Sequence, residues 1–165
     1  MAFPICDECA SSGILCSKCE RRVRRGEVSE LDVLVSTILA GHKATGYESI
    51  IDLENKLVIL ASDEEVPKII GRGGTMAAEL AKKLGRRVVV LNRGADREFI
   101  IKSLARPNKV VAMNKVFKPG DEEVLKLIFD KPLDEGTVQV LKDLIGEVEI
   151  EYERPLEKVD QKKRK

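Results

Sequence analysis

The stretch Ile69-Ile70-Gly71-Arg72-Gly73-Gly74-Thr75 constrains the fold more than any other in the chain. It lies between two segments with helical periodicity. Glycine costs roughly 0.5–1 kcal/mol against alanine inside a helix, so three glycines in four residues mark a sharp turn. Upstream, residues 64–70 read as a short helix capped by Ser62 or Asp63, with Pro67 tolerated in its first turn. Downstream, residues 75–85 read as a helix capped by Thr75 and stopped by Gly85. The alternating run from Arg86 to Asn92 reads as a strand.

The rest of the chain falls around this turn. Ser29 can cap a helix over Glu30–His42, with Leu31, Leu34, Val35, Ile38 and Leu39 on one face. Two apolar runs flank Glu54-Asn55 and predict a hairpin with strands at 47–52 and 56–61. The order is helix, strand, strand, helix, glycine turn, helix, strand. A weaker copy follows. Residues 96–106 read as a helix, and 109–117 and 122–130 as strands joined by Lys118-Pro119-Gly120-Asp121. Residues 135–153 then read as helix and strand. Gly-Thr, an amphipathic helix, a glycine stop and an alternating strand occur in both halves, which supports an internal repeat. The second copy lacks the glycine turn and the short helix before it.

Composition narrows the class. Aromatic residues make up 4% of the 165 residues and Trp is absent, so the core must be built from Val, Ile, Leu and Ala. No apolar run approaches the ~20 residues of a membrane span, and the start of the chain lacks a basic stretch followed by an apolar one. A cytoplasmic chain without membrane attachment is expected. Charged residues reach 35%, a level associated with proteins of hot organisms. The net charge of +1 hides strong segregation. Residues 66–110 hold 11 Lys and Arg against 3 Asp and Glu, whereas residues 1–65 hold 7 against 12 and residues 111–153 hold 5 against 11. The glycine turn sits in the basic block, whose field favours a polyanionic partner.

All four cysteines, Cys6, Cys9, Cys16 and Cys19, lie within fourteen residues as C-x2-C-x6-C-x2-C. Each C-x2-C can place two thiolates on adjacent corners of a tetrahedron. Two such pairs close a structural zinc site with no position left for water. One Zn2+ per chain is therefore expected, in a knuckle whose second pair leads into a short basic helix. Disulfides fit poorly with a cytoplasmic chain, a thioredoxin-like motif needs one pair beside a βαβ unit, and the spacing matches neither common ferredoxin run. The knuckle is expected to have a core separate from the segment after it.

Three readings of the glycine turn compete. Nucleotide-enzyme phosphate loops need Gly-x-x-x-x-Gly-Lys-Ser/Thr, or Gly-x-Gly-x-x-Gly after a strand, and neither is present. A tight helix corner needs one glycine. A Gly-x-x-Gly loop clamping a nucleic-acid backbone needs its glycines close to sugar and phosphate. Arg72 supplies a donor fork. The helix starting at Thr75 offers N–H groups and a positive dipole end, and Ile69 and Ile70 anchor the loop from behind.

The stretch from Lys68 to Leu91 resembles a KH domain, with its apolar pair, Ile-Gly-x-x-Gly, helix and strand. The element order is similar to the type II KH arrangement. Two consecutive units after a four-cysteine segment resemble archaeal NusA-like KH-domain RNA-binding proteins. Ala77 departs from the pattern, where an Ile usually follows the loop. The resemblance implies an α+β fold with a zinc knuckle over 1–28, an intact type II KH unit over 29–93 and a degenerate KH-like unit over 94–153. Residues 154–165 hold too little apolar content to fold alone, so a disordered basic tail is expected there. The resemblance also implies a protein that clamps single-stranded RNA. No nucleophile motif, no histidine at a site and no metal with an open position point to an enzyme, so a non-enzymatic protein is expected, and a monomer. Its setting would be transcription elongation or termination, or the ribosome. Ile70, Gly71, Arg72, Gly73, Gly74 and Thr75 would form the clamp, and Val88–Leu91 the strand bordering the groove. Lys68, Lys82, Lys83, Arg86, Arg87 and Arg93 are candidate phosphate contacts. The alternative is an adaptor of RNA polymerase or the ribosome whose KH units no longer bind RNA.

Overall fold

A computed structural model describes residues 2–153; the expected basic tail lies outside them. The fold is mixed α+β, with seven α-helices and two three-stranded sheets among the described residues. The chain groups into two compact units that divide between Ala95 and Asp96. None of the described helices is long and apolar enough to cross a membrane.

The first unit opens with two short helices, α1 (Asp7–Ser12) and α2 (Ser17–Arg24). Helix α3 (Glu30–Ala40) starts in a capping box: the Asp32 N–H donates to Ser29 Oγ at 3.0 Å, and the Ser29 N–H donates to Asp32 Oδ2 at 3.1 Å. The helix ends two residues before the expected His42. The hairpin is β1 (Ser49–Asp52) and β2 (Lys56–Leu60), paired antiparallel with Ile50 opposite Ile59. Helix α4 (Val66–Ile70), a single 3₁₀ turn (Arg72–Gly74) and helix α5 (Thr75–Leu84) follow. Strand β3 (Arg87–Leu91) then pairs parallel to β2, with Leu57 opposite Val88 and Ile59 opposite Val90.

Strand β2 is central, and its unbroken Lys-Leu-Val-Ile-Leu run is buried throughout. Alternation settles which face meets the helices. Leu57, Ile59 and Val90 share a core with Val35 and Leu39 of α3, Ile69 of α4, and Met76 and Leu80 of α5.

The cysteine segment has a buried cluster of its own, distinct from the sheet core, and it leans on the outer face of α3. Ile5, Cys9, Ala10, Cys19 and Val28 cluster together, and Val33 and Ala40 of α3 pack against them. Phe3 touches this cluster and the sheet core alike. Its ring meets Tyr47 edge-on at 6.2 Å. A short apolar cluster of this size cannot bury itself without borrowing a face of α3.

The second unit repeats the pattern. Helix α6 (Arg97–Ala105) precedes a longer hairpin, β4 (Val110–Lys118) and β5 (Glu122–Phe129). Helix α7 (Glu135–Ile145) is capped by Asp134, which accepts from the Thr137 N–H at 3.0 Å. Strand β6 (Val148–Tyr152) pairs parallel to β5. Both units thus run helix, antiparallel hairpin, helix, parallel third strand. Where the first has α4, the glycine turn and α5, the second has α7 alone.

Candidate functional site

Two features stand out in the first unit: a thiol cluster and the glycine loop. In the cluster, the ligand atoms of Cys6, Cys9, Cys16 and Cys19 all lie within 4.8 Å of one another. Tetrahedral sulfurs about 2.3 Å from a metal would be about 3.8 Å apart, so the set fits a single ion with small adjustment. The thiols are not paired as disulfides.

The two halves of the cluster mirror each other. Cys6 is the N-cap of α1 and Cys16 the N-cap of α2. The Cys6 N–H donates to Cys19 Sγ at 3.4 Å, and the Cys16 N–H donates to Cys9 Sγ at 3.1 Å. Each pair thus supplies a backbone donor to the second sulfur of the other pair. Cys9 and Cys19 are buried, while Cys6 and Cys16 are exposed. The Cys16 thiol is lowered to about 7, first by the Cys19 backbone N–H and then by the thiols of Cys9 and Cys19. Cys9 moves oppositely, to about 12. The Cys16 N–H favours its thiolate, but the Cys6 thiol, burial and the other two thiols outweigh that. Four thiols this close cannot all ionise without a compensating cation. The arrangement is therefore compatible with a closed tetrathiolate metal site.

The glycine loop has three positive backbone angles: φ is +76° at Gly71, +65° at Gly73 and +77° at Gly74. A β-carbon on Gly71 would lie 2.7 Å from Met76 Cβ and 2.9 Å from Met76 N. Nothing lies within 4 Å of a β-carbon on Gly73 or Gly74. The turn's own conformation thus accounts for all three glycines, and the last two also leave open space. Thr75 is not the cap of α5 as expected. Gly74 holds that position, Thr75 is already helical, and its hydroxyl donates back to the Arg72 carbonyl at 2.9 Å.

The α4 cap also differs from expectation. Glu65 takes the N-cap position, and the Ser62 carbonyl accepts from the N–H groups of Glu65 and Val66 at 3.0 Å each. The Glu65 carboxylate is buried. It accepts from the Thr45 N–H at 2.9 Å, the Thr45 hydroxyl at 2.5 Å and Lys68 Nζ at 3.1 Å.

The expected cationic contacts divide into two kinds. Arg72, Lys82 and Arg87 are exposed, with no ion pair or hydrogen bond from their side chains among the described residues. Lys68 is held by Glu65, Lys83 by Glu79 at 3.0 Å, and Arg93 by Glu48. Arg86 pairs with Asp52 and donates to the Leu53 carbonyl at 2.9 Å, so it ties β3 to the β1–β2 turn. Ile70 is half-buried behind the loop.

Two hollows flank α5. On one side Ala77, Ala78 and Ala81 face Val88, with Lys82, Arg86 and Arg87 at the rim of a shallow, open groove. Strand β3 is the edge of its sheet on this side. On the other side a cleft joins the glycine loop to residues 41–43 beyond α3. Lys43 and His42 were not anticipated there. They lie about thirty residues upstream of the loop, and nothing local in the sequence links them to it.

No protein-family model and no curated protein matches the chain. Among solved structures it is similar to one described as the crystal structure of APE1850, at 25% identity over 73% of this chain and 93% of that one, with a TM-score of 0.41.

Proposed function

We propose that the chain is a non-enzymatic RNA-binding protein whose first unit is a type II KH domain, followed by a degenerate KH-like copy, in the manner of archaeal NusA-like proteins. The observation that carries this reading is the loop itself. Gly73 and Gly74 leave open space at an exposed turn, Arg72 beside them is unpartnered among the described residues, and the α5–β3 groove begins next to it. A single-stranded backbone can approach such a loop without meeting a β-carbon, and its bases can then lie along the alanine side of α5. Arg72, Lys82 and Arg87 are the cations free to meet phosphate; Lys68 and Arg86 serve structure first. The thiol cluster holds one structural Zn2+, since four thiolates in a closed tetrahedron suit that ion. The second unit has no glycine loop, and its hairpin, last helix and last strand lie in the acidic block, so it serves structure or protein contact. The setting is cytoplasmic, in transcription or at the ribosome.

The test is the double substitution Arg72→Asp with Gly73→Asp. Both positions are exposed, and aspartate tolerates a left-handed backbone better than most residues. Affinity for single-stranded RNA should fall at least about tenfold, or about 1.4 kcal/mol, with the thermal midpoint within a few degrees of the parent. A folded double variant that binds RNA like the parent would leave the turn as a helix corner. The adaptor reading would then lead. One observation favours that reading: the conformation of the turn explains its glycines without a ligand.

A further inference from the structure

The cleft on the far side of the loop has the size and chemistry of a nucleotide subsite. Its volume is about 740 Å³, within the range of roughly 300–1,000 Å³ typical of small-ligand sites. One wall is the chain just past α3, with His42 and Lys43; the other is the loop, with Arg72. Pro67 and Met76 contribute apolar lining between them. Lys43 and Arg72 are both exposed and unpartnered among the described residues. The one carboxylate in the cleft, Glu79, is already engaged by Lys83 at 3.0 Å and lies 3.7 Å from His42 Nε2. Two free cations beside this partly apolar lining match the two parts of a nucleotide, an anionic phosphate and a flat, mostly apolar base.

The geometry points to a second subsite for single-stranded RNA. We infer that the strand crosses the glycine loop and does not end at it: nucleotides held in the α5–β3 groove continue over Gly73 and Gly74, and the flanking nucleotide enters the cleft with its phosphate on Lys43. This rests on reading the loop as an RNA clamp. Helix α5 has a different flank on each side, alanines toward the groove and Glu79 toward the cleft. Arg72 at the crest can serve a phosphate on either side.

The experiment compares a tetranucleotide with an octanucleotide of the same repeating sequence, each titrated at several salt concentrations. Affinity for single strands falls as about the 0.7 power of salt for each phosphate contact. One contact is therefore worth about fivefold at 0.1 M salt. Lys43→Ala should weaken the octanucleotide by about that factor, lower its salt slope by about 0.7, and leave the tetranucleotide unchanged. Glu79→Gln should strengthen the octanucleotide by about twofold, the scale of an exposed charge interaction. If Lys43→Ala binds the octanucleotide as the parent does, or weakens both lengths equally, the second subsite is wrong while the clamp stands. If the parent binds neither length, both readings fall together.

Discussion

A β-carbon on Gly71 would sit 2.7 Å from the β-carbon of Met76. Met76 is buried in the core shared by α3, α4 and α5, so it cannot yield cheaply. Gly71 also has φ +76° and ψ 171°, a region open to glycine almost alone. The first glycine of the loop is therefore a folding requirement, and the later two are different. Gly71→Ala should cost about 2–3 kcal/mol from clash and strain together. Gly73→Ala meets open space and should cost about 1 kcal/mol from its backbone angle. Urea unfolding of the two variants checks the ordering. Equal midpoints would show that the Gly71–Met76 approach is not tight in solution.

The cations around the groove should separate by experiment in the same way. Arg86 bridges to Asp52 and the Leu53 carbonyl across thirty-odd residues, whereas Lys82 and Arg87 bridge to nothing among the described residues. Arg86→Ala should lower stability by about 1–2 kcal/mol, because it leaves the Leu53 carbonyl without that donor. Lys82→Ala and Arg87→Ala should leave the thermal midpoint unchanged and lower the salt slope of RNA binding by about 0.7 each. A stable Arg86→Ala protein with reduced RNA affinity would reverse the assignment.

Glu65 gives the first unit an acid-sensitive joint. Burial alone would raise its pKa. The Thr45 hydroxyl, the Thr45 N–H and the Lys68 ammonium outweigh that and hold it down at about 2. Its folded pKa lies below the ordinary 4.5, so the unfolded chain binds the proton more readily. The contribution is fully present above about pH 4.5 and is lost as pH falls toward 2. It should amount to about 3 kcal/mol at neutral pH. Glu65→Gln should lower stability at pH 7 and flatten the decline in stability between pH 4.5 and 2. Parallel pH profiles for parent and variant would rule the joint out.

Much of this architecture was legible because it is local. The hairpin around Glu54-Asn55, the glycine stop at Gly85 and the repeated helix-and-strand close all follow from patterns a few residues long. The cysteine spacing likewise announced a cluster that the fold brings within 4.8 Å. What stayed hidden depends on distant partners. Tyr47 donates to Asp32 Oδ1 at 2.9 Å, fifteen residues away, so Asp32 serves the cap of α3 and the start of the sheet at once. Helix α1 has six residues, too few for a readable period, and the Cys16 N–H bonded to Cys9 helps to hold it. Thr75 looked like a cap because threonine favours that position. The left-handed Gly74 turns straight into α5 and takes the position first.

The thiol cluster offers the most direct test of what organises the amino-terminal segment. The purified protein should carry about one tightly bound zinc per chain and show no iron chromophore. Because thiols must ionise to bind metal, affinity should weaken as pH falls. Removing the metal leaves four clustered thiols whose mutual repulsion as thiolates, or burial as neutral groups, no longer favours the crossed N–H to sulfur bonds of Cys6 and Cys16. Amide protection from Cys6 to Cys19 should collapse on chelation. Since Val33 and Ala40 of α3 pack on this cluster, protection on that face of α3 should fall too, while β2, buried throughout, should hold. Hydrogen exchange with and without chelator resolves each segment. Unchanged protection across Cys6–Cys19 in metal-free protein would show that the segment folds without an ion. Loss confined to those residues, sparing α3, would show that the packing of Val33 and Ala40 on the cluster is not an energetic coupling.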